Sequence, residues 1–155
     1  MASSNLPPCG IYKTTDPIGA IPPDSFVYFH NHGDPGPGIY TPEKWIQNRA
    51  IFRDKGVPLS NELQAKGLIP LPLEGFYRVR QALKPSSKSQ TVFQPGQLVQ
   101  IGYNSRAETI LFVPQWGANG LEIPARGIII EPENMRLLEY LSVAQAADDP
   151  SNILH

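Results

Sequence analysis

With 155 residues, 41% of them apolar, the chain is long enough to bury a real core and short enough for one domain. A net charge of −1 and only 17% charged residues exclude a charge-rich disordered chain and leave no broad basic surface for phosphate backbones. A single cysteine, Cys9, excludes an intramolecular disulfide and any multi-cysteine metal site, while 13 glycines and 17 prolines predict short elements joined by ordered irregular segments.

Residues 1–24 read as an extended N-terminal arm, because Pro7-Pro8, Pro17 and Pro22-Pro23 block any long helix. Ile11, Ile18 and Ile21 are its apolar anchors. The N-terminus has no basic stretch followed by an apolar run, and no run approaches the roughly 18 apolar residues that span a bilayer. A cytoplasmic protein without a membrane span is therefore expected. Cys9 sits between Pro8 and Gly10 with no activating neighbour in sequence, and reads as a small packed residue rather than a nucleophile.

A single β-rich domain is expected over 25–143. Ser25-Phe-Val-Tyr-Phe-His-Asn-His32 opens it as a strand rich in β-formers, ended by the turn-forming Gly33-Asp-Pro-Gly-Pro-Gly38. Three triplets, Gly10-Ile-Tyr12, Gly38-Ile-Tyr40 and Gly75-Phe-Tyr77, have the look of equivalent strand starts. Their unequal spacing, 28 and 37 residues, gives no regular repeat. Thr41-Pro42-Glu43 has the composition of a helix start, with Trp45 and Phe52 as its apolar anchors. A strand over 49–53 competes with that reading. One helical turn is expected within 58–67, capped by Ser60 and burying Leu63. Leu68–Leu73 alternates apolar residues with proline and should lie on a sheet edge.

Gly75–Leu83 is a further predicted strand, with Tyr77 and Val79 on one side and Phe76, Arg78 and Arg80 on the other. Lys84–Gln90 has the composition of a mobile loop. The core cassette is placed at 93–141. Its segments 97–103 and 108–114 form a predicted hairpin with apolar residues on both faces, so one face needs a cover. Glu131–Leu141 has the spacing of a short helix, and 144–155 reads as a C-terminal tail. Together these elements predict a mostly β fold: a small antiparallel barrel of SH3-like type, or a sandwich, with a proline-rich N-terminal segment and one or two short helices.

Two clusters carry chemistry. His30 and His32 alternate along one strand and project together, with Asp34 close behind, a partial ligand set for a divalent transition metal. Glu43, Glu74 and His155 are further donors by type. The competing reading has the two histidines finishing a strand and Asp34 serving the turn. The aromatics Trp116, Tyr103, Trp45 and Tyr40 are the candidate binding surface for a protein partner, with Trp116 either presented to that partner or closing one end of the barrel. Arg78, Arg80, Lys84 and Lys88 form only a loose basic cluster, which argues against nucleic acid. No phosphate-binding or hydrolase motif is present, and no organic cofactor is expected. The expected function is therefore a non-enzymatic interaction module, a structural or accessory subunit that pairs with a protein partner or with itself. The alternative is a small metal-binding protein, or metal-dependent enzyme, built on His30, His32 and Asp34.

Overall fold

The computed structural model describes residues 6–33 and 36–146. Asp34, His155 and most of the expected C-terminal tail lie outside the described residues. The chain is mostly β, and its strands form open antiparallel sheets that do not close into a barrel.

The first sheet is built from β1 (Gly10–Lys13), β2 (Phe26–His30), β3 (Gly38–Tyr40), β6 (Val57–Pro58) and β7 (Ile69–Pro70), in the order β6-β3-β2-β1-β7. Both edge strands contain a proline, Pro58 and Pro70, which cannot donate to a further ladder. The second sheet contains β8 (Gly75–Val79), β9 (Leu98–Tyr103), β10 (Thr109–Phe112), β13 (Ile128–Ile129) and β14 (Leu138–Leu141), in the order β13-β10-β9-β8-β14. Two hairpins complete the set: β4 (Pro42–Ile46) with β5 (Arg49–Phe52), and β11 (Gln115–Gly117) with β12 (Gly120–Glu122). Each of the three Gly-apolar-Tyr triplets opens a strand, β1, β3 and β8.

The expected helix after Thr41 is instead the β4–β5 hairpin. Trp45 pairs with Ala50 and Ile46 with Arg49, and the two turn residues, Gln47 (φ 51°) and Asn48 (φ 68°), both adopt the left-handed region. That is the geometry a two-residue hairpin needs to match strand twist. The helix expected over 131–141 is also corrected. Pro132–Leu137 forms a 3₁₀ helix, and Leu138–Leu141 then becomes a strand paired with β8. The pairing supplies long-range backbone hydrogen bonds that spacing along one segment does not reveal. The helical turn at Glu62–Gly67 is present, but Asn61 caps it rather than Ser60, and Leu63 is 67% exposed.

The predicted hairpin of β9 and β10 is present, with Tyr103 opposite Thr109 and Ile101 opposite Leu111. Its two faces have different covers. Val99, Ile101, Tyr103 and Leu111 enter one core with Phe26, Tyr77, Val79, Leu83, Phe93 and Leu138. The opposite face of β9 carries Gln100 and Gly102, and the β4–β5 turn lies on it. Asn48 Nδ2 donates to Gln100 Oε1 (2.9 Å) and to Pro124 O (2.9 Å), and Gln100 Nε2 donates to Gln47 O (3.0 Å). Gly102 is required there, because a Cβ would sit 2.8 Å from Asn48 O. A second core lies within the first sheet and gathers Tyr12, Ile18, Ile21, Val27, Phe29, Ile39, Ala65 and Leu68.

The segment expected to be a mobile loop is anchored at its start. Pro85 is fully buried, its carbonyl accepts the Glu131 N–H, and Lys84 O accepts from Asn134 Nδ2. No helix among the described residues is long and apolar enough to cross a membrane.

Candidate metal centre

β1 and β2 are antiparallel neighbours, with Gly10 opposite Phe29 and Ile11 opposite Tyr28. One step beyond that register, Cys9 arrives beside the end of β2. There its Sγ lies 3.6 Å from His30 Nδ1 and 3.8 Å from His32 Nδ1. The two imidazole centroids are 4.1 Å apart. Cys9 and His30 are half-buried and His32 is exposed, so the group is anchored at its base and open on one side.

Asn31, between the histidines, ties the group together. Its backbone N–H donates to Cys9 Sγ (3.3 Å), and its Oδ1 accepts from the Cys9 thiol (3.2 Å). The same oxygen is 2.8 Å from His32 Nδ1, and Asn31 Nδ2 donates to Pro7 O (3.1 Å). Gly33, at φ 121°, lets the chain turn tightly beside the His30 ring, where a Cβ would stand 3.2 Å from His30 Cδ2. On its other side His30 stacks with Tyr28, centroids 6.4 Å apart. Tyr12 OH donates to Pro8 O (2.6 Å) and so fixes the segment that carries Cys9. Burial, followed by the charge of Cys9, raises the Tyr12 and Tyr28 hydroxyls above the ordinary phenol value.

Comparison with protein-family models, curated proteins and solved structures gave no match to this chain.

The site is therefore read from its chemistry. A tetrahedral zinc ion with Zn–S of about 2.3 Å and Zn–N of about 2.0–2.1 Å holds its sulfur and nitrogen ligands about 3.6 Å apart. The two observed sulfur–nitrogen separations are close to that edge. A thiol nucleophile needs one imidazole as its base and an oxyanion-stabilising group beyond it. Two imidazoles that present the same ring nitrogen to one sulfur fit metal ligation better.

His30 and His32 come together as their alternation predicts, although β2 ends at His30 and His32 stands in the following bend. Cys9 is the member of the group that sequence proximity missed. Its imidazole neighbours are 21 and 23 positions away along the chain and are brought to it by strand pairing. Asp34 lies outside the described residues. Among the described residues, the Cys/His/acid group of metal-binding size here comprises Cys9, His30 and His32. Glu74 stands elsewhere, its Oε2 accepting the Ala50 N–H at 3.0 Å.

The candidate aromatic surface divides. Trp45 Nε1 donates to Tyr103 O (2.8 Å), and both residues line a shallow cavity with Asn48, Ile110 and Phe112. Tyr103 is itself buried, with its hydroxyl donating to Pro72 O (2.7 Å). Tyr40 lines a different cavity beside Asp54, Lys55 and Gly56. Trp116 is 84% exposed on the β11–β12 hairpin, so it does not plug an end of the fold. In the loose basic cluster, Arg78 is paired with Glu139 across the β8–β14 ladder.

Proposed function

We propose that this chain is a transition-metal-binding β protein whose ion is held by Cys9 Sγ, His30 Nδ1 and His32 Nδ1. The observation that carries this reading is the convergence of both nitrogens on one sulfur at 3.6 and 3.8 Å, near the ligand edge of a tetrahedral ion. A thiolate with two imidazoles suits zinc and its borderline neighbours, whereas magnesium and calcium prefer all-oxygen sets. The test is elemental analysis of the purified chain beside the Cys9→Ser, His30→Ala and His32→Ala variants. The wild type should carry about one zinc-class ion per chain, and each variant should bind it at least about tenfold more weakly. A wild type that takes up no zinc from a buffered solution, or variants that retain it unchanged, would sink the reading.

A second reading is supported by a separate region. Trp116 and its cross-strand partner Leu121 are both exposed, as are Ile128 and Ile129 of β13, an edge strand of the second sheet. Exposed aromatics and an unpaired edge are the features of a surface that associates with protein. On this reading the chain is also an interaction module, a structural or accessory subunit that pairs with a protein partner or with itself.

A further inference from the structure

We infer that Asn31 Oδ1 is the fourth donor of this site, so that the bound ion is enclosed by one sulfur, two nitrogens and one amide oxygen. The inference rests on the metal reading above and extends it from three ligands to a closed set.

In the metal-free arrangement Asn31 Oδ1 accepts from the Cys9 thiol at 3.2 Å and faces His32 Nδ1 at 2.8 Å. A metal ion binds the thiolate and an unprotonated nitrogen, so the thiol proton leaves when it arrives and His32 Nδ1 carries none in the bound state. Asn31 Oδ1 is then left beside a negatively charged sulfur and a metallated nitrogen, with no donor from either. Two outcomes relieve it: the amide rotates, or its oxygen binds the ion. Rotation would carry Nδ2 away from Pro7 O, where it now donates at 3.1 Å, and would turn an oxygen toward that carbonyl. Coordination keeps the Pro7 bond and satisfies the oxygen at once.

The positions agree with this. Oδ1 is a third neighbour of Cys9 Sγ beside the two ring nitrogens, as a fourth vertex must be. Tetrahedral edges from oxygen to sulfur and nitrogen, built from zinc–ligand lengths, are about 3.6 and 3.4 Å. The observed 3.2 and 2.8 Å are the shorter distances of hydrogen-bonded pairs and need only a small widening. The Asn31 N–H to Cys9 Sγ bond requires no thiol proton and remains as an outer-shell donor to the thiolate. Four protein ligands make a closed site, which holds an ion, in contrast to a three-ligand site with water in the open place.

Cobalt(II) replaces zinc as a coloured probe, and azide reports an open coordination position. The full-length wild type, Asn31→Ala and Asn31→Asp are each titrated with cobalt(II) and then with azide, and their visible spectra are followed. The wild type is expected to give a four-coordinate spectrum with a Cys9 thiolate band, unchanged by azide. Asn31→Ala should keep the thiolate band, bind cobalt about tenfold or more weakly, and respond to azide. Asn31→Asp keeps an oxygen but cannot donate to Pro7 O, so binding at wild-type strength or tighter, with no azide response, assigns the effect to the oxygen. An azide response in the wild type would overturn the inference. So would Asn31→Ala behaving as wild type, or Asn31→Asp being as weak as Asn31→Ala, which would leave Asn31 only a structural staple. A wild type that binds no cobalt at all brings down the metal reading itself, a different result from any of these.

Discussion

At the scale of single residues, Glu74 shows how burial and hydrogen bonding compete. Burial raises its carboxyl above the ordinary value, against the Ala50 N–H and the Arg49 charge, which both lower it. A carboxyl raised in the folded state binds its proton more tightly there than in the unfolded chain. Its contribution to stability is therefore complete below the ordinary carboxylate range and is lost as pH rises through the raised value. Glu74→Gln keeps an oxygen for the Ala50 N–H and removes the ionisation. It should be more stable than the wild type at neutral pH, with the advantage shrinking in acid. Denaturant midpoints at the two pH values measure this, and a difference that does not change with pH would contradict it. The same scale explains what was legible at the Cys9–His30–His32 group. His30 and His32 stand two apart along the chain, at the end of β2 and in the bend after it, and that spacing is visible in the sequence. Cys9 was not visible, because its neighbours come from register. The pairing of Gly10-Ile-Tyr12 with the strand ending at His30 places residue 9 beside residue 30, and neither segment alone carries that register.

At the scale of elements, the β4–β5 hairpin joins the two halves of the chain. Pro42 and Trp45 resemble a helix start on paper, and propensity alone favours that reading. What decides against it is tertiary: the turn at Gln47-Asn48 docks on β9 and meets the hydrogen-bonding needs of buried Gln100. A polar residue in an apolar strand was therefore the signal of a docking partner, though not of which one. Asn48→Ala removes donors from Gln100 Oε1 and Pro124 O and leaves the Gln100 oxygen buried without them. A loss of about 1–3 kcal/mol is expected, read as a lowered denaturant midpoint with unchanged slope. An unaltered midpoint would mean that the turn does not hold the hairpin down. The 3₁₀ helix followed by β14 teaches the same lesson. Met135, Leu138 and Leu141 recur at helical spacing, yet Leu138 is buried as a strand residue opposite Val79.

At the scale of the whole molecule, Phe26 connects the two cores. It belongs to β2 of the first sheet, yet it stacks on Tyr103 of the second with centroids 5.1 Å apart, and its N–H donates to Ser105 O. The first sheet also has a core of its own, gathered around Val27, Phe29 and Ile39. The mostly β class was legible from short apolar segments and frequent turn residues. A closed barrel was not the outcome: the first sheet ends on the two-residue, proline-bearing β6 and β7, and the second on the two-residue β13 and the four-residue β14. Association is the property that belongs to this scale. If the exposed 115–129 region pairs chains, light scattering after size exclusion should give a mass above the 17.1 kDa of one chain, and Trp116→Ser with Ile129→Lys should return it to that mass. A wild type that stays at monomer mass at high concentration would remove self-pairing.

The order of the three candidate ligands along the chain has a consequence during synthesis. Cys9, His30 and His32 all lie within the first 32 residues, and the pairing that joins them is the first hairpin of the fold. The entire second sheet begins only at Gly75. A ribosome therefore completes this group of side chains before it has made the second sheet. If the proposed ion is captured at that stage, it clamps a loop of about 20 residues before the second sheet exists.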